Sequence, residues 1–283
     1  MNAFDLDIIE FVHVHTSTSD TVNQVVNLFV SLDLVRGVPM MALFWWAWMT
    51  QDKRTEDRRQ ILLLTILSGL VALALGRFLA HELPFRLRPI FDQSLHFTFP
   101  LADGNAALRT WSAFPSDHAM LWFAVATGIY LASRRIGVIA LVYTGVFICL
   151  PRVYLGLHHP TDIIAGAFLG VVVTLLLTSK AVRKQLTKPF QGWAISSPQS
   201  FYMVAFLASY GLATNFDEVR VLGGFIKQEI IHPGAAPAVA GPSNGGETGV
   251  SALAYASTPR QGVAANAGRA EFAQNGEQQK SSW

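Results

Sequence analysis

A chain of 283 residues that is 51% hydrophobic and only 14% charged is too poor in charge for an ordinary soluble domain, where about a quarter of residues are charged, so part of it must face lipid. The formal charge of +2 says little by itself, and nothing points to a nucleic-acid partner. The single cysteine, Cys149, excludes an intrachain disulfide framework and a cysteine-based zinc cluster.

No cleavable signal peptide is expected, because the N-terminus lacks a basic stretch and opens with Asp5, Asp7 and Glu10. Residues 1–21 read as an interfacial segment, with an amphipathic helix over Phe4–Val14. Val22–Met49 reads as a bent helix, or as an interfacial helix feeding a span. Within it Met40–Met49 carries Trp45, Trp46 and Trp48, suited to a membrane interface, but it is too short to cross alone. Extending it backwards takes in Asp33 and Arg36, each costing about 2.5–3.5 kcal/mol at a bilayer centre. Their spacing on a helix predicts a pair, and Gly37 with Pro39 predicts a kink beside them. Further apolar segments predict spans at Ile61–Ala80, Ala119–Ala132, Ile136–Leu150 and Ile163–Thr178, with a shorter one at Phe201–Thr214. The fold class is therefore all-α: a multi-pass transmembrane helical bundle of about six spans over residues 22–216.

Loop charges orient the bundle. Lys53, Arg54, Arg58 and Arg59 precede the Ile61 span, Arg134 and Arg135 separate the next two, and Lys180, Arg183, Lys184 and Lys188 follow Thr178. By the positive-inside rule these loops are cytoplasmic, and the loops 81–115 and 151–160 lie on the opposite, extracytoplasmic face. Residues 217–232 read as a short interfacial helix, and 233–283, rich in Ala, Gly, Pro, Ser, Asn and Gln, as a disordered tail. Nothing in the sequence encodes an oligomeric state.

The extracytoplasmic loops hold most of the polar groups that suit chemistry. In Phe114-Pro115-Ser116-Asp117-His118, Ser116 or Asp117 has a plain structural explanation as a helix N-cap, but a capped N-terminus also binds phosphate through its backbone N–H groups. His118 is not explained by capping, and one turn into the helix it suits proton donation to a leaving oxygen. In Arg152…His158-His159-Pro160-Thr161-Asp162, Pro160 suits a first helical position and Asp162 is ordinary helix-start chemistry. The functional alternative is that Asp162 accepts a hydrogen bond from one ring nitrogen of His158, freeing the other as a nucleophile. A zinc site at His158, His159 and Asp162 has no support from cysteines or an H-E-x-x-H helix. Arg86 and Arg88 can be read as snorkelling residues. Together with Arg152 they suit forked contacts to phosphate.

In order and spacing these segments resemble the type 2 phosphatidic acid phosphatase family of integral membrane lipid phosphatases. Its three signatures are Lys, six residues, Arg-Pro; Pro-Ser-Gly-His; and Ser-Arg, five residues, His, three residues, Asp. Here stand Arg88-Pro89, Pro115-Ser116-Asp117-His118, and Arg152, His158 and Asp162 at the matching intervals, across roughly residues 60–180. The chain looks like the bacterial undecaprenyl-pyrophosphate phosphatase-like branch of that family. His81 stands where that pattern has Lys, Asp117 replaces Gly, and Pro151 replaces Ser. The resemblance implies a metal-free reaction with no cofactor. In it His158 attacks phosphorus and Asp162 sets its tautomer. His118 serves as acid and then base, while Arg88, Ser116, Asp117 through its backbone, Arg152 and a neutral-capable His81 contact the phosphate. It implies a lipid phosphate substrate: undecaprenyl pyrophosphate first, then phosphatidic acid or phosphatidylglycerophosphate. A lipid phosphotransferase, a non-enzymatic scaffold on the same fold, and a transporter using Asp33 and Arg36 are the competing readings.

Overall fold

The computed structural model describes residues 2–14, 19–95, 99–100 and 109–216; the helix expected at 217–232 and the tail from 233 lie outside them. The helices in chain order are α1 (Ala3–Val14), α2 (Asp20–Ser31), α3 (Asp33–Met49), α4 (Thr55–Glu82), α5 (Asp117–Ala132), α6 (Arg134–Tyr143), α7 (Leu150–Tyr154), α8 (Pro160–Leu177), α9 (Lys180–Ser196) and α10 (Pro198–Ala213). Among the described residues there is no strand.

Among the described residues three helical runs are long and apolar enough to cross a membrane: Thr55–Glu82, Arg134–Tyr154 and Pro160–Leu177. The α2–α3 pair, bent by 56°, makes a fourth if it is one broken span. The sequence reading of about six spans also counted α5 and α10, which have 16 residues each. At that length they reach about 24 Å, short of the roughly 30 Å hydrocarbon core. Pro115 and Ser133 bracket α5 and limit its length.

Helix α5 is buried on nearly every side, Ala119, Leu121, Trp122, Ala124, Val125 and Ile129 included. A helix that is apolar all round belongs in the middle of a bundle, and α5 packs there against α4, α6 and α8. Its approach to α8 depends on Gly166, where a Cβ would lie 2.6 Å from the Ser116 carbonyl oxygen.

A π-helical turn, Thr144–Cys149, joins α6 to α7. It precedes Pro151, which has no N–H to give and whose ring would meet the Phe147 carbonyl in an unbroken α-helix. The wider turn makes room for the ring, and Arg152 follows it within α7.

The bend expected at Gly37–Pro39 falls instead at Leu32. Pro39 leaves the Val35 carbonyl without its helical donor, and the Tyr143 hydroxyl supplies one, so α3 runs on through the proline. Asp33 and Arg36 pair as the spacing predicts. Arg36 Nη1 also donates to Val30 O at 2.6 Å, satisfying a carbonyl left over at the end of α2. Gly37 faces Ala213 with no room for a side chain, which lets α10 end close against α3.

The two ends of the bundle differ in chemistry. At one end Arg58 Nε donates to Ala132 O at 3.4 Å and Arg183 pairs with Asp57 at 2.8 Å. There Phe201, at the start of α10, packs on Trp48 and Trp193. At the other end the N-termini of α5 and α8 meet the segments that follow α4 and α7: Ser116 N donates to Asp162 O at 3.2 Å, and Ile90 N to Gly156 O at 2.9 Å.

Candidate active site

His158 lies in the turn between α7 and α8, placed there by Leu157 N and His158 N donating to Arg152 O. Its side chain is 2% exposed. Nδ1 is 2.9 Å from Ala113 O, which can only accept, so Nδ1 carries the proton. Nε2 is 3.3 Å from Arg88 Nη1, which can only donate, so Nε2 keeps its lone pair. The two contacts fix one tautomer. Burial lowers the His158 pKa and keeps the ring neutral.

The hydrogen bond expected between His158 and Asp162 is not formed, since Nδ1 and Asp162 Oδ2 are 3.8 Å apart. The backbone explains this. As the third residue of α8, Asp162 turns Oδ2 back to His159 N at 2.8 Å, completing a capping box, and Oδ1 to Arg86. The carbonyl of Ala113 takes the orienting role that the spacing suggested for Asp162.

His118 is the second residue of α5, whose N-cap is Ser116; the Ser116 hydroxyl accepts from Ala119 N at 3.4 Å. His118 Nδ1 is 2.7 Å from Asp117 Oδ1, so the Asp117 side chain holds the imidazole. Of Asp117 only the backbone N–H suits a phosphate, because its carboxylate would repel one. His118 Nε2 is 3.0 Å from Asn215 Nδ2.

Arg88 and Arg152 are 9% and 4% exposed. Arg88 Nη1 also donates to Leu157 O at 2.9 Å. Among the described residues its Nε, and Nε and Nη2 of Arg152, are buried without an acceptor. Unpaired guanidinium donors in a protein interior are expensive unless an anion meets them. Arg88 and His158 line a small pocket of ≈ 30 Å³ with Arg77, Ser112 and Asp117. A larger cavity of ≈ 360 Å³ opens at the other end among Lys180, Arg183, Lys184 and Lys188, and among the described residues no histidine or acidic group lines it to do acid–base work. Among the described residues no three His, Cys, Asp or Glu side chains gather in a metal-binding cluster.

The segment that carries this arrangement, residues 58–185, matches the PAP2 superfamily. Residues 58–185 are a PAP2 superfamily domain. Over 168 residues the chain is 26% identical to YbjG of Escherichia coli (strain K12), whose name gives it provisionally as an undecaprenyl-diphosphatase, covering 59% of this chain and 78% of that protein. It is 27% identical over 134 residues to the bacitracin transport permease protein BcrC of Bacillus licheniformis, covering 46% of this chain and 59% of that one. It is 25% identical over 122 residues to the undecaprenyl-diphosphatase BcrC of Bacillus subtilis (strain 168), covering 43% of this chain and 58% of that one. No solved structure matches the chain significantly.

The PAP2 domain brings together Arg88, Ser116, Asp117, His118, Arg152, His158 and Asp162 at one end of the bundle. His81 is not with them. Its side chain is 87% exposed and 3.4 Å from Glu82, because the last turn of α4 runs past the pocket. Arg77, one turn earlier, lines the pocket instead. Asp5 and Asn215, both outside the PAP2 domain, also make hydrogen bonds to residues of the site. Asp5 of α1 is fully buried. Its carboxylate accepts from Arg86 Nη2 at 2.6 Å, Thr161 N at 2.9 Å and Thr161 Oγ1 at 2.7 Å, while Arg86 Nη1 reaches Asp162. Helix α1 is thus fastened to the start of α8. Asn215, just past α10, is the other. Neither had a signal in the sequence, since their partners lie 81 and 97 positions away.

Proposed function

We propose that this chain is a membrane-embedded phosphatase that removes a phosphate from a lipid diphosphate, undecaprenyl diphosphate being the first candidate, through a phosphohistidine on His158. The observation that carries the reading is the state of His158. Its Nδ1 proton is engaged with Ala113 O, and its Nε2 lone pair faces Arg88 beside the unpaired donors of Arg152. An entering phosphate would draw the Arg88 N–H onto its own oxygens and leave the lone pair pointing at phosphorus. Arg88, Arg152 and N–H groups at the start of α5 then stabilise charge on the equatorial oxygens, where phosphoryl transfer gains most. Asp162, 3.8 Å from Nδ1, favours the positive charge that a phosphorylated imidazole carries. His118 protonates the departing oxygen and later takes a proton from the water that cleaves the P–N bond. Membership of the PAP2 superfamily and the undecaprenyl-diphosphatase names of two relatives support the lipid and the bond. The basic end of the bundle supports a cytoplasmic placement for that end, leaving the site on the extracytoplasmic face of the cell membrane.

The test is phosphate release by purified protein from a polyprenyl diphosphate, phosphatidic acid, phosphatidylglycerophosphate and a soluble phosphate ester, with and without chelator. The expected result is fastest release from the diphosphate, chelator-insensitive, with an acid-labile phosphoenzyme absent in His158→Gln. Full activity in that variant would overturn the assignment of the nucleophile. Phosphate passing to a lipid acceptor with none released to water would replace the hydrolase with a phosphotransferase.

A further inference from the structure

Resting on the phosphatase reading, the geometry points to a leaving-group subsite built by Asn215 and Arg77 that fits a phosphate rather than an alcohol. His118 locates it. The Nδ1 of His118 is occupied by Asp117 at 2.7 Å, so Nε2 is the atom that exchanges a proton with the departing oxygen. The group now 3.0 Å from Nε2 is the Asn215 amide. That amide therefore marks where the leaving group sits.

Asn215 is placed there by more than one contact. It is 2% exposed and has φ 52°, a left-handed conformation that Asn tolerates better than most residues. Its backbone oxygen accepts from Arg77 Nη2 at 2.8 Å, and Arg77 faces the same pocket as Arg88 and His158. Its Oδ1 is buried with no hydrogen-bond partner among the described residues. The charged groups around His118 are Asp117 and the guanidiniums of Arg152 and Arg36. None of the substrate-facing residues carried over from the family pattern lies on α10 or after it, and Asn215 falls outside the PAP2 domain.

The two leaving groups differ in what they present to this corner. When a diphosphate that enters carrying one proton is cleaved at its terminal phosphorus, that proton passes to His118 Nε2, His158 Nε2 forms the new N–P bond, the bridging P–O bond breaks, and the bridging oxygen takes the proton back from His118 Nε2. The departing lipid monophosphate keeps anionic oxygens that can accept from Asn215 Nδ2 and Arg77, and its new P–OH can donate to Asn215 Oδ1. When a monophosphate ester is cleaved, the departing alcohol is neutral once protonated and has no further oxygens for these groups. Donors placed around an anionic leaving group favour the first reaction.

The experiment compares a short-chain isoprenyl diphosphate with the matching isoprenyl monophosphate, products being separated by chromatography. In Asn215→Gly, which keeps the backbone free to hold its conformation, and in Arg77→Gln, kcat/KM should fall for both substrates. The fall should be larger for the diphosphate, lowering the diphosphate-to-monophosphate ratio by about tenfold. Asn215→Asp keeps shape and backbone preference but sets a carboxylate against the leaving phosphate, so the ratio should fall further. Each ratio is taken on one protein sample, so partial loss of folded protein cancels. A wild-type chain that cleaves neither substrate overturns the phosphatase reading and the subsite with it. A wild-type chain that cleaves both, with the ratio unchanged in all three variants, overturns the subsite alone.

Discussion

His158 and His118 are held by different kinds of partner. The groups on His158 cannot exchange roles: a carbonyl only accepts, a guanidinium only donates, and between them they leave one tautomer of a ring that is 2% exposed. His118, 17% exposed, has a carboxylate on one nitrogen and on the other an amide. An amide has both a donor and an acceptor face. In the proposed mechanism His158 attacks, and an attacking ring needs one fixed lone pair. In the same proposal His118 gives a proton and later takes one, and such a ring is better served by a partner that fits both states. The contrast also follows chain position: the partners of His158 lie inside the PAP2 domain, and Asn215 lies outside it.

The largest effect that tests this contrast is expected at the proposed nucleophile. His158→Gln should lower phosphate release on the order of 10⁴-fold or more and abolish phosphoenzyme trapping. His118→Gln should lose about 10²–10⁴-fold on a diphosphate and recover much of it on an aryl phosphate, whose leaving group needs no proton. Equal losses on both substrates would end the division of labour between the two rings. Next comes the guanidinium with two unpaired donors. Arg152→Gln should reduce turnover on the order of 10²–10³-fold, read as kcat under saturating substrate. A change in KM alone would reduce Arg152 to a ground-state contact.

Smaller effects are expected outside the PAP2 domain. Asp5→Ala removes the acceptor shared by Arg86 and Thr161 and should lower activity roughly tenfold, in line with losses seen when an orienting partner is removed. It should also make the α1 segment cleavable in limited proteolysis. Unchanged proteolysis together with unchanged turnover would show that α1 is a passenger. The smallest effect concerns pH. Burial lowers the His158 pKa, so the folded chain keeps that ring neutral while an unfolded chain begins to bind a proton near about pH 6.5. Stability is then full above that pH and declines as pH falls from there towards the folded value. Melting followed by tryptophan fluorescence in detergent should show a few degrees less loss between pH 7 and 5 for His158→Gln than for wild type. A parallel decline in both would assign the acid loss to other groups.

The sequence by itself determined the class of the fold, the long apolar helices and the spacing within Pro115–His118 and Arg152–Asp162. These rest on local physics: apolar runs of sufficient length, a serine cap, a proline at a helix start, all read within a dozen neighbouring residues. It also determined the Asp33–Arg36 pair, one helical turn apart. Only the tertiary structure decided which groups satisfy the site residues. It put Ala113 O rather than Asp162 on His158, gave Asp162 to His159 and Arg86, left His81 outside, and brought Asp5 and Asn215 in. It also moved the bend from Pro39 to Leu32, because a tyrosine more than a hundred positions away supplies the donor that the proline lacks. A buried donor or acceptor must be satisfied by whatever lies nearest in space, and a bundle whose helices run in both directions brings its nearest groups from opposite ends of the chain.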